Sequence, residues 1–192
     1  MDNNTIVLSQ TNTAGSVAAY VSPCVYAVSG AVFSSFQNNI LVNTQNTTGA
    51  YGFYSLGTGN ISSGTVNRND YYVPNGNTGY YNSANRSTLA AWQTATSKDA
   101  NSLNVNPVFT SATDLHLSYG TTGTQFESGG AILSDYNVDY DNQARPGPLG
   151  SVNGGGTSYD IGADEFDGVP LTAVTIASVT NVTGPACAAS SN

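Results

Sequence analysis

Asn3-Asn4-Thr5-Ile6-Val7-Leu8, Asn38-Asn39-Ile40-Leu41-Val42-Asn43 and Arg68-Asn69-Asp70-Tyr71-Tyr72-Val73 are three versions of one pattern, a polar pair followed by a short apolar run. Their second positions, Asn4, Asn39 and Asn69, lie 35 and 30 residues apart. A second register recurs in Ala18-Ala19-Tyr20-Val21, Ala50-Tyr51-Gly52-Phe53-Tyr54 and Gly79-Tyr80-Tyr81, with Tyr20, Tyr51 and Tyr80 at intervals of 31 and 29. A third apolar stretch runs from Ala31 to Phe36 and again from Ile61 to Val66. Each period therefore holds three strand-like runs separated by Gly, Asn and Ser turns. A unit of this kind cannot bury its interior alone and stacks on its neighbours through parallel ladders. The expected architecture is an all-β parallel β-helix, with Asn4, Asn39 and Asn69 at one corner of successive rungs and Ile6, Ile40 and Tyr71 or its neighbours stacked inside. Asn suits such a corner because it tolerates left-handed backbone and its amide can bond the Asn stacked above it.

Composition agrees with a β-rich chain. Of 192 residues only 8 % are charged, against about 25 % in an average globular protein, while Gly occurs 21 times and Tyr 12 times. The net charge of −8 provides no basic surface for phosphates or anionic lipids, so nucleic acid and membrane insertion are excluded as partners. No apolar run approaches the roughly 20 residues of a helical membrane span. The N-terminus has no basic region, apolar stretch or cleavage site of a signal peptide. Beginning in mid-pattern, the chain reads as part of a longer secreted or cell-surface protein. Cys24 and Cys187 are too far apart in sequence and too few to indicate a disulfide framework.

Beyond Ser87 the pattern changes. Trp92-Gln93, Asn106-Pro107-Val108-Phe109, Asp114-Leu115-His116-Leu117, Asp139-Tyr140-Asp141-Asn142-Gln143-Ala144-Arg145 and Asp160-Ile161-Gly162-Ala163-Asp164-Glu165 follow in order. Taken together they resemble the end of right-handed parallel β-helix repeat proteins secreted by Bacteroidetes-type bacteria. Asn106 and Asn142 replace the Asp and Gly usual in that family, changes a turn can accept. The resemblance implies a right-handed β-helix with a polar C-terminal cap over residues 1–168. Residues 169–192 then read as a linker and the opening strand of a following, Ig-like module, the strand running from Leu171 to Thr180, or alternatively as a strand paired along the flank of the solenoid. The resemblance also implies a non-catalytic rod or adhesin part of a surface protein, some relatives serving gliding motility. Its partners would be the rest of a longer parent chain, surface glycans or other cell-surface proteins.

Candidate site residues follow from the charge map. Between Asn3 and Ser97 the sole carboxylate is Asp70, with only Arg68 and Arg86 as cations. These rungs lack the paired acids of a glycoside hydrolase and the acid cluster of a calcium-dependent lyase. An enzyme is therefore disfavoured, unless this is part of a carbohydrate-active β-helix enzyme, a polysaccharide lyase or glycoside hydrolase, with its catalytic rungs upstream. Ten carboxylates follow Lys98. Among them Asp139, Asp141, Asp160 and Asp164 are weak calcium candidates, without the remaining ligands of an EF-hand. The favoured alternative is structural, with Arg145 forking onto Asp160 or Glu165 and Pro146, Pro148 and residues 154–156 shaping a closing brace. His116 alternates with Leu115 and Leu117 and has no Cys or second His nearby, so it reads as an outward-facing structural residue. Trp92 reads as core. Tyr71, Tyr72, Tyr80 and Tyr81 offer rings for glycan stacking, or for core and corner packing.

Overall fold

The computed structural model describes residues 1–9, 21–147 and 157–171. In chain order the elements are β1 (Thr5–Leu8), β2 (Ser22–Ala27), β3 (Ser35–Gln37), β4 (Ile40–Asn43), β5 (Ala50–Ser55), α1 (Gly59–Ser62), β6 (Thr65–Asn67) and β7 (Asp70–Tyr72). They continue with β8 (Asn77–Tyr81), β9 (Ala84–Arg86), α2 (Leu89–Thr96), β10 (Gly123–Thr124) and β11 (Val169–Pro170). None of the helices is long and apolar enough to cross a membrane among these residues.

The strands form four small sheets: β1-β4-β7, β2-β5-β8-β9, β3-β6 and β10-β11. All pairs are parallel except β8 with β9. The architecture is thus mainly β, but the right-handed parallel β-helix expected over residues 1–168 is corrected: the sheets are separate, one is mixed, and none closes or runs on as a solenoid. Two physical causes are visible. The parallel ladder β2-β5-β8 ends where the chain turns back through Asn82 and Ser83, both left-handed, and β9 covers the edge of β8 with an antiparallel pairing. From Leu103 to Gly168 the described chain has only isolated bridges and the two-residue β10, because Gly, Pro and Asx turns interrupt every apolar run.

The register corrects two further expectations. Ile6 stands beside Leu41, and Leu41 beside Tyr71, so Leu41 rather than Ile40 fills the inner column. Side chains alternate along a strand, so one step in register moves a residue to the opposite face. Ile40 and Val42 accordingly point into a second core. In the other sheet Tyr80 stands beside Tyr54, and Tyr54 beside Tyr26, whereas Tyr51 stands between Pro23 and Asn77. Tyr20 lies outside the described residues.

The first core gathers Val25, Phe36, Leu41, Phe53, Ile61, Val66, Tyr71 and Trp92. One end of it is closed by α2. Thr88 Oγ1 caps this helix by accepting from Ala91 N at 3.1 Å, and Ser97 ends it in left-handed conformation. The helix delivers the indole of Trp92 over Phe53 and Tyr71. Gly79 makes room for it, since a Cβ there would meet Trp92 Cε3 at 2.3 Å.

The second core sets Ile40 and Val42 against Leu117, Phe126, Ile161 and Phe166. The C-terminal segment therefore covers the outer flank of the β1-β4-β7 sheet. Gly162 N donates to Asn38 O at 2.9 Å, Ala163 N to Thr5 Oγ1 at 3.0 Å, and Arg68 Nη1 to Gly129 O at 2.8 Å. This corrects the end cap: burial of the apolar outer face of β4 draws the segment sideways along the sheet. Val169–Pro170, expected to begin a linker, pairs with Gly123–Thr124. Pro148, residues 154–156, Cys187 and all of the expected following strand after Leu171 lie outside the described residues.

Candidate functional site

The three repeated asparagines sit in one hydrogen-bonded row. Asn4 Nδ2 donates to Asn39 Oδ1 at 2.9 Å, and Asn39 Nδ2 donates to Asn69 Oδ1 at 2.8 Å. Asn69 Nδ2 donates in turn to Asp99 Oδ1 at 2.9 Å. The left-handed backbone falls one residue earlier, at Asn3, Asn38 and Arg68, with φ of 55°, 57° and 56°. The corner thus divides two tasks between adjacent residues, the first bending the chain and the second joining the periods. Asp99 was not legible as a member of the row, although it follows Asn69 by the same 30 residues that separate Asn69 from Asn39.

Asp99 is buried and accepts from four side chains: Asn69, Ser102, Trp92 Nε1 at 2.7 Å and Tyr71 Oη at 3.0 Å. Burial raises its pKa, and these donors hold it down in part. Tyr71 is fully buried with its ring beside Trp92, so it presents no face to a sugar. Tyr72, Tyr80 and Tyr81 are half-buried. Tyr26, Tyr54 and Tyr80 form a pile of parallel rings, with centroids 5.4 and 4.3 Å apart. The Tyr54 ring is stacked on both sides within that pile.

The acidic C-terminal stretch contains two arrangements. The first is internal. Arg145 Nη1 donates to Glu165 Oε1 at 2.8 Å, with both side chains almost completely buried, and Nη2 donates to Gly162 O. Asp160 holds turns instead of pairing with the arginine: Oδ1 accepts from Ser128 N at 2.6 Å and Oδ2 from Phe166 N at 2.8 Å. Asp139 accepts from the backbone N–H groups of Asp141, Gln143 and Glu165. Burial, with the charge of Glu165 beside it, pushes Asp160 up to about 9. Burial pushes Glu165 up to about 7 against the Asp160 N–H and Arg145, which hold it down.

The four calcium candidates therefore separate. Asp139 and Asp160 direct their oxygens at backbone donors, while Asp141 and Asp164 turn towards a histidine, forming the second arrangement. His116 Nε2 lies 2.6 Å from Asp141 Oδ2, and its Nδ1 is bonded to Asp114. His116, Asp141 and Asp164 each bring one ligand atom within 4.8 Å of the others. The hydrogen bonds to Asp114 and Asp141 raise the His116 pKa to about 9, and the bond from His116 lowers that of Asp114. Burial raises Asp164 to about 6, opposed by the histidine. His116 and Asp164 border a pocket of about 530 Å³ together with Thr5, Thr113, Asp114, Leu115, Tyr140 and Ala163. The outward direction of His116 is as the alternation implies. Beside the local Asp114, Asp141 and Asp164 come from two later loops, and no local spacing announces them.

Cys24 has no disulfide partner among the described residues; its thiol lies 3.4 Å from Val42 O and is pushed up to about 12 by burial, which disfavours the nucleophilic thiolate. Asp70, the carboxylate of the repeat region, is buried, accepts from Val105 N through Oδ1 and has no hydrogen-bond partner on Oδ2 among the described residues. Burial pushes it up to about 8.

No family model, no curated protein and no solved structure matches the chain.

Proposed function

We propose that this chain is a non-catalytic structural segment of a larger secreted or cell-surface bacterial protein, a spacer that holds or presents adhesive parts of its parent. The observation that carries this reading is the use made of the buried acids. Asp99, Asp139, Asp160 and Glu165 are occupied by hydrogen bonds from within the chain, so they tie turns and close a core. A glycoside hydrolase needs two carboxyl groups free to face a sugar from opposite sides of the scissile bond, and a lyase needs a free base. These residues are not free in that sense. The low charge and the resemblance of the C-terminal motifs to bacterial surface proteins support the same reading.

The reading calls on no calcium: Asp139 and Asp160 direct their oxygens at backbone donors. Glycan binding through the tyrosines is weakened because the Tyr54 ring is stacked on both sides and Tyr71 is buried. The test is incubation of the purified chain with neutral and acidic polysaccharides, followed by product analysis, beside a glycan array. Neither turnover nor retained glycan is expected. Turnover abolished by a single substitution within the chain would overturn the proposal.

A further inference from the structure

We propose that His116, Asp141 and Asp164 form a binding site for a divalent first-row transition ion of the zinc type. Three observations point there. The donor set is one imidazole nitrogen and two carboxylates, converging within 4.8 Å although they come from three different loops. Imidazole suits zinc and its neighbours, whereas calcium takes six to eight oxygens, so the nitrogen selects the class of ion. The far side of the ring is also arranged as in metal-bound histidines. Nδ1 is bonded to Asp114, which fixes the ring, and Nε2 faces Asp141 Oδ2, where a bound ion would replace their hydrogen bond. Finally, His116 and Asp164 border an open pocket, so three protein donors leave room for water or a ligand oxygen to complete the coordination.

The geometry also gives Asp164 a fixed position. Its carboxylate accepts from Leu117 N, next in sequence to the histidine, and the residue is 8 % exposed. One ligand is thus held against the body while Asp141 and His116 approach from the surface. A bound ion would pin the loops carrying residues 114–117 and 139–144 onto the segment at 160–165. This site is independent of the spacer reading, which requires no metal.

The experiment uses the whole chain, freed of metal with a chelator that is then removed. Zinc is titrated calorimetrically, and cobalt is titrated while its visible d–d absorption is followed. Since His116 is the single histidine, its ring ¹⁵N signals report directly on which nitrogen binds. One ion per chain is expected, with the Nε2 resonance shifted and a rise in Tm on adding zinc. His116→Ala and Asp141→Asn should each weaken binding about tenfold or more, and Asp114→Asn about tenfold through loss of ring orientation. His116 and Asp141 are exposed, so circular dichroism should show both variants folded; Asp141→Asn serves if the histidine variant is not. Calcium at the same concentration should not displace cobalt. The proposal is overturned if zinc leaves the histidine resonances unmoved, or if binding survives in both variants and is lost on replacing Cys24 and Cys187 with Ser.

Discussion

Asp99 Oδ2 lies 2.7 Å from Trp92 Nε1 and accepts its hydrogen bond. The same carboxylate accepts from Asn69, the last member of the asparagine row, so the polar corner of the repeats and the aromatic lid of the first core meet in one side chain. A buried indole N–H needs an acceptor, and the row needs an end that does not itself demand a further acceptor. A carboxylate satisfies both requirements.

Asp99→Asn tests that junction. The amide nitrogen would face the indole N–H or the Asn69 amide, setting donor against donor in a buried site. The expected cost is about 1–3 kcal/mol, or a fall in Tm of roughly 3–10 °C for a chain of this size, read by thermal melting. A variant that melts with the parent would show that the junction contributes nothing to stability.

Gly79→Ala tests the seat of the lid. The added methyl would lie 2.3 Å from Trp92 Cε3 and 3.0 Å from Phe53 O, so the indole must move out. A loss of about 1–3 kcal/mol is expected. Trp92 is the single tryptophan, and its fluorescence should shift to the red. Unchanged emission with unchanged stability would place the ring elsewhere.

Arg145→Ala removes one partner of a buried ion pair and leaves Glu165 without its cation. Such losses cost about 3–5 kcal/mol, against about 0–1 for an exposed pair. Thermal or urea melts should show this with and without calcium in the buffer. Equal melting of variant and parent, with strong destabilisation of both by a calcium chelator, would assign the segment to calcium.

Stability should fall as pH rises through the neutral range. An acid whose folded pKa lies above its unfolded value binds more protons in the folded state, so its contribution favours folding at low pH and is lost as pH rises. For Asp70 that window runs from its ordinary 3.8 to about 8, and for Asp160 from 3.8 to about 9. Asp70→Asn should flatten the Asp70 part of the dependence. A clear rise in Tm over the parent is expected at pH 9, with little change at pH 4. If the variant melts below the parent at pH 9, an ionised Asp70 is favourable where it lies and the expectation fails.

The repeats were readable because the same chemistry recurs at the same interval. Asn4, Asn39 and Asn69 mark their corner, but the inner position falls at Leu41 and not at the expected Ile40, because Ile40, Leu41 and Val42 are all apolar and give no alternation to set the register. Asp99 escaped notice because the residue type changes while the interval persists. The metal-type cluster was invisible for another reason. His116 owes its neighbours to loops that fold back over the sheet, and that path follows from the second core, not from any local motif. The expected end cap failed on the same ground: its polar residues were legible, but the surface they cover was decided by Ile40 and Val42.

Because β4 has two inner faces, the order of synthesis matters. Ile161 leaves the ribosome 121 residues after Ile40. At about 5–20 residues per second, the outer face of β4 waits some 6–24 s for the last of its cover, after Leu117 and Phe126 have been made. Until then Ile40 and Val42 lack the part of their cover that Ile161 and Phe166 supply. Residues 157–171 thus act in time as well as in space, the last-made part of the described chain sealing a surface that the first-made part cannot seal for itself.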